Sequence, residues 1–365
     1  MLTKNILYLS LMNFLPWKGD VEWMNDGGYA YAKAGWFIGK SFLGKKISSL
    51  SGLHTLGELD RLIFPEHYRE LPGRELLADL EHRITRRNVR QILKVVNSYP
   101  QPPKLLIRMI KSFEYNDLKE CLRHIAGGKK EIPVICDIGR FKTIHFNAYP
   151  DIAAMLKKTE FEYMLSHELR SVTPGMDLTS IETRLDYHFY QGLVESLSQL
   201  TEDDREAAQR LLADEISLRN CVWALRLRTY YQKSEIETVK YLMNFKLLGN
   251  IHFKRAHLAA EAKASLDFPL DIRQNWYGWR WERFLNPEEA AVHWIADPRH
   301  FQNAASQYIY HLAYHGFHSS PMSVSAIFCF IKLKQFEEDL LTSIAEGLSL
   351  GMDSSFVLKM LEVSQ

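Results

Sequence analysis

The sequence predicts an all-α protein. Apolar residues recur at three- and four-residue intervals along most of the chain, turn residues fall between those runs, and strand-like alternation is scarce.

Residues 6–17 are apolar behind Lys4, but no small-residue cleavage pattern follows. The chain instead runs into Pro16-Trp17-Lys18-Gly19-Asp20, so a cleaved export signal is not expected. Asn25-Asp26-Gly27-Gly28-Tyr29 reads as a turn. Leu76, Leu77, Leu80 and Ile84 form a helical stripe, and Leu105, Leu106, Met109 and Ile110 form the next. Pro102-Pro103 opens that second helix, because proline's fixed φ and missing N–H suit a first turn, and Gly127-Gly128 closes it. The best strand candidate, residues 134–138, is short. Two further helical stripes follow, through Tyr190, Leu193, Val194, Leu197 and Leu200, then through Leu211, Ile216, Leu218, Val222 and Leu225. Asn286-Pro287-Glu288-Glu289 predicts a helix start, with an N-cap, a proline at the first position and two acids at the positive end of the dipole. Loops are expected near 127–133 and 267–278.

A chain of 365 residues can bury one large core or several modest ones, and 46% hydrophobic with 24% charged residues is ordinary for a globular protein. With 45 basic against 44 acidic residues the net charge is +1, which argues against nucleic acid as a partner, since phosphate binding needs a basic excess. Cys121, Cys136, Cys221 and Cys329 form no C-x-x-C pair, so they are read as reduced, mostly buried thiols rather than zinc or redox groups. No run approaches the roughly 20 apolar residues of a membrane span.

An internal repeat divides the chain in three. Glu114-Tyr115-Asn116-Asp117-Leu118-Lys119-Glu120-Cys121 is echoed by Asp214-Glu215-Ile216-Ser217-Leu218-Arg219-Asn220-Cys221, and more weakly by Glu337-Glu338-Asp339-Leu340-Leu341-Thr342. On a helix, this pattern would turn its leucine inward and offer its acid at the edge. The units are placed at residues 1–133, 134–249 and 250–365.

Four constellations bear on chemistry. Ala34-Gly35-Trp36-Phe37-Ile38-Gly39-Lys40-Ser41 fits a relaxed P-loop string, but bulky Trp-Phe-Ile would crowd a phosphate and no apolar strand precedes it. It is therefore read as a helix with Trp36 and Phe37 in the core and Lys40 in solvent. His311, His315 and His318, with His293 and His300 upstream, have helical spacing but no glutamate base, and are read as polar or capping groups rather than metal ligands. Trp276, Trp279 and Trp281, interleaved with Arg280 and Arg283, are read as buried, with a partner surface as the alternative. Arg83, Arg86, Arg87, Arg90 and Lys94 form a basic stripe at helical spacing. A solvated face is its plain explanation, an electrostatic docking surface for an acidic partner the functional one, and lipid headgroups a third. No catalytic triad or carboxylate pair is identifiable from spacing.

The repeated string resembles the Asp/Glu-x-x-Asn-Leu-Lys/Arg signature of a V/A-type ATPase family, the C subunit of archaeal and bacterial complexes and the d subunit of eukaryotic ones. Tyr29-Ala30-Tyr31-Ala32-Lys33-Ala34-Gly35 resembles that family's opening Tyr-x-Tyr-x-x-Ala-Arg helix, and Leu56-Gly57-Glu58-Leu59 with Tyr68 the segment after it. Met155-Leu156-Lys157-Lys158-Thr159-Glu160-Phe161 is similar to the start of the second unit, and Leu185-Asp186-Tyr187-His188-Phe189-Tyr190 to the helix before its signature. Departures stand at the signature asparagine, replaced by Asp117, Ser217 and Leu340, at Gly35 where arginine is usual, and in the first 28 residues, which look like an extension. The resemblance implies three related units in a pseudo-threefold arrangement around a central, funnel-like cavity. It implies a non-catalytic connector without cofactor, seated on the cytoplasmic face of the membrane proteolipid ring and accepting the rotor-shaft subunits, in ATP-linked proton or sodium transport. A helical-repeat scaffold unrelated to ATPases is the alternative.

Overall fold

The computed structural model describes residues 20–164, 172–245, 257–288 and 293–361. Every regular element among them is helical: α1 (Asp20–Lys40), α2 (Leu56–Ile63), α3 (Gly73–Val96), α4 (Lys104–Ala126), α5 (Ile152–Leu156), α6 (Phe161–Met164), α7 (Thr179–Leu197), α8 (Glu202–Tyr231), α9 (Glu235–Val239), α10 (Ala260–Ala264), α11 (Pro298–Ser319), α12 (Val324–Ser349) and α13 (Ser354–Met360), with short 3₁₀ turns between them. None is long and apolar enough to cross a membrane.

Local chemistry sets many of the boundaries. Thr55 caps α2 reciprocally with Glu58, each side chain meeting the other's backbone N–H. Pro103 precedes α4, and its carbonyl accepts from Leu106 and Ile107. At the far end Gly128 takes a φ of +70°, which lets its N–H reach the Ile125 carbonyl and that of Lys129 the His124 carbonyl. Both ends agree with the sequence.

Three expectations are corrected. Residues 25–29 continue α1 instead of turning. Residues 134–138 pair with no strand. No helix begins at Asn286, although Glu289 lies outside the described residues. The Asn286 amide instead closes a loop, donating to the Ile295 carbonyl and accepting from the Asp297 N–H. The same signal works further on, where Asp297 caps α11 and Pro298 occupies its first turn.

Two long helices stitch the apolar interior together. In α12 the consecutive residues Val324 to Ile331 are all buried, so no face of that stretch is left for water. This half joins α1, α4 and α7 in one core, whereas Leu340, Leu341, Ile344 and Leu348 join α2, α3 and α13 in another. Helix α8 does likewise: Leu211 and Ile216 belong to the first core, and Leu218, Ala224 and Leu225 to a third built around tryptophans. The Leu53 N–H donates to the Ser354 hydroxyl and the Ser354 N–H to the Leu53 carbonyl, tying the N-terminal region to α13.

Candidate functional site

The three repeated strings fall on α4, α8 and α12, and all three leading acids are buried. Glu114 accepts from the backbone N–H of Thr143 and Ile144 at 2.5 and 2.6 Å and from the Thr143 hydroxyl at 2.8 Å. Asp214 accepts from Arg280 at 2.5 Å and from the Tyr308 hydroxyl at 2.7 Å, and burial followed by this bond pushes Tyr308 up to about 12. Glu337 accepts from the Phe42 N–H at 2.9 Å, from Arg87 at 3.1 Å and from Lys334, whose ammonium is pushed down to about 8 by burial. The leucines four residues on, Leu118, Leu218 and Leu341, are buried as the pattern predicted. The acids are not at the edge, as the spacing suggested; each clamps a segment remote in sequence.

The other signature positions are also engaged. Asp117 accepts from the Cys136 N–H, and the Ser217 hydroxyl from the Trp281 indole. The bases Lys119 and Arg219, from two different copies, converge on Asp186 at 2.6 and 3.4 Å. Sequence reasoning missed this junction: Asp186 was legible only as part of a helix, and nothing in its spacing marks the two cations it meets.

The basic stripe divides into two faces of α3. Arg83 pairs with buried Asp60 at 2.9 Å and with Asp79 at 3.2 Å, and lies over the Phe64 ring. Arg87 meets Glu337, and burial outweighs nearby acids in lowering its pKa. Arg86, Arg90 and Lys94 are exposed. Arg86 and Arg90 line a groove of about 660 Å³ bounded by α3, α4 and residues 134–137. A smaller pocket of about 360 Å³ lies where α8, α11 and α12 meet; its Lys332 pairs with Glu215, and its Arg226 with Gln302.

The ATP synthase (C/AC39) subunit family model matches residues 39–360 of the chain. This chain belongs to that family. An uncharacterized protein of Treponema pallidum (strain Nichols) is 27% identical over 328 residues, which cover 88% of this chain and 92% of the relative. The C subunit of the A-type ATP synthase of Haloferax volcanii is 25% identical over 258 residues, and that of Haloquadratum walsbyi 26% over 260; each alignment covers 68% of this chain and 71% of the relative. The resemblance to the V/A-type ATPase family drawn from the signature strings is therefore correct.

In this C/AC39 chain the P-loop string is helical through Lys40, so no loop exists there to wrap a phosphate. Phe37 is core, but Trp36 is 55% exposed, against expectation, with the Lys40 ammonium 3.9 Å from its ring centroid. His311, His315 and His318 lie exposed on α11, and no group of three His, Cys, Asp or Glu among the described residues could hold a metal. Trp276, Trp279 and Trp281 are buried, and their indoles donate to the Pro269 carbonyl, the Glu261 carbonyl and the Ser217 hydroxyl.

Proposed function

We propose that this chain is the connector of a rotary V/A-type ATPase, seated on the membrane proteolipid ring and receiving the rotor shaft. The family match over residues 39–360 carries the reading. The chain would pass torque between shaft and ring during ATP-linked proton or sodium movement, without an active site or cofactor of its own. It would lie at the cytoplasmic face of the membrane, held there through the complex.

The packing suits that mechanical task. Close-packed interiors deform little, and buried acids that clamp remote segments resist shear between helices. One signature helix falls in each proposed unit, α4 in 1–133, α8 in 134–249 and α12 in 250–365, and we assign these three related units a pseudo-threefold arrangement around a central cavity. Of the basic stripe, Arg86, Arg90 and Lys94 are the residues we assign to a partner-facing surface, since Arg83 and Arg87 are engaged within the fold.

Co-elution with the rotor-shaft subunits of the same organism, followed by light scattering, tests the reading. A one-to-one complex is expected. A folded chain that binds neither the shaft nor the proteolipid ring would sink the connector role and favour a helical scaffold.

A further inference from the structure

We propose that the groove between α3 and α4 docks an acidic, partly apolar segment of another protein, anchored by Arg86 and Arg90. The inference rests on reading this face as partner-facing, but not on the identity of the shaft as its partner.

Of the four Lys and Arg side chains that line the groove, two are paired within the fold and two are not. Lys119 is matched by Asp186, and Arg123 by Glu182 at 2.8 Å and Glu120 at 3.2 Å. Arg86 and Arg90, one helical turn apart, have no carboxylate within salt-bridge distance among the described residues. The groove's remaining acids are turned to its own backbone: Asp137 accepts from Gly139 and Asp117 from Cys136. Two free guanidiniums thus face the opening, and guanidinium is the cation best suited to hold carboxylates in a fixed geometry.

Beside them is apolar surface. Val134 is 55% exposed, and Ile135 and Leu93 are half-buried. Among the described residues the backbone N–H groups of Val134 and Ile135 have no protein acceptor. Arginine next to apolar side chains in a concave site is the composition of an interface anchor.

The same features disfavour other occupants. Asp117, Glu120 and Asp137 interrupt the basic lining, so the two unpaired guanidiniums form a discrete site rather than a continuous track for a phosphate backbone. A flat bilayer surface cannot enter a groove bounded by α3, α4 and residues 134–137. A chain segment that alternates carboxylates with apolar side chains satisfies both halves.

The test uses the full chain and a short fluorescein-labelled peptide in which glutamate alternates with valine, read by fluorescence anisotropy at low salt. Saturable binding is expected, weakened about tenfold or more by Arg86→Glu combined with Arg90→Glu, and weakened also by Val134→Ser. Lys263→Glu, at an exposed position of α10, leaves it unchanged, and a lysine–valine peptide does not bind. Circular dichroism checks that each variant is folded, as expected for side chains without internal ion pairs. The proposal is overturned if the glutamate peptide does not bind, or if it binds the double variant as tightly as the parent. It is overturned in favour of a lipid surface if anionic phosphatidylserine vesicles, and not the peptide, lose binding on the charge reversal.

Discussion

Buried Glu114 holds three donors, one from buried Ile144 and two from exposed Thr143, and the energetic consequence follows from that difference. Glu114→Ala strands the Ile144 N–H, while the Thr143 N–H and hydroxyl can turn to water, and is expected to lower stability by about 1–3 kcal/mol in urea denaturation. Asp117, three residues on, carries a different cost. Burial, opposed by its bond from Cys136 and by Lys142, raises it to about 7, whereas the unfolded chain releases this proton near 3.8. The folded state therefore binds more protons between those values, and this group lowers stability as pH rises from about 4 to about 7. Asp117→Asn restores the residue usual in the family signature and still accepts from the Cys136 N–H. It should flatten that decline and raise stability at pH 8 by about 1–2 kcal/mol. Equal slopes for parent and variant in pH-dependent unfolding would disprove the assignment.

Helices in this chain are specified both by their own sequence and by what packs around them. The start of α4 after Pro103 and its end at Gly128 are local events, and both were legible. Because φ at Gly128 is +70°, Gly128→Ala should cost about 1 kcal/mol, measured as a shift in the denaturation midpoint. The contact between α12 and α13 was not legible. A Cβ at Gly347 would come within 2.4 Å of Val357 Cγ2, so Gly347→Ala is expected to destabilise by about 1–3 kcal/mol. Val357→Ala should relieve part of that cost, and a double-mutant cycle showing strict additivity would refute the clash. The helix-start signal at Asn286 and the turn signal at residues 25–29 are locally sound, but the Asn286 amide closes a loop and residues 25–29 continue α1.

Across the whole molecule, α13 closes the N-terminal region against the end of α12. Val357 and Leu358 are buried in the core shared by α2, α3 and the second half of α12. A chain ending before Ser354 should lose about 3–5 kcal/mol, since two apolar side chains leave the interior and Ile47, Leu50 and Leu348 gain access to water. Calorimetry of the truncated chain checks this; an unchanged melting temperature would show that α13 is an appendage. The arrangement also predicts separate salt responses. Stability set by buried apolar contact and enclosed ion pairs should change little with ionic strength, while binding through exposed Arg86 and Arg90 should weaken.

The sequence by itself determined the helical class, the positions of several long helices and the family, because helical periodicity, proline and glycine punctuation and the repeated acid–leucine strings are all local patterns. It also marked Glu114, Asp214 and Glu337 as equivalent residues. Only the tertiary structure decided what those residues do. Whether an acid on a helix meets water or a backbone amide nearly 300 positions away, as Glu337 meets Phe42, depends on which helix packs alongside it. The basic stripe shows the same division. Spacing placed five cations on one helix, but the neighbours Asp60 and Glu337 withdrew Arg83 and Arg87 into the fold and left Arg86, Arg90 and Lys94 facing outward.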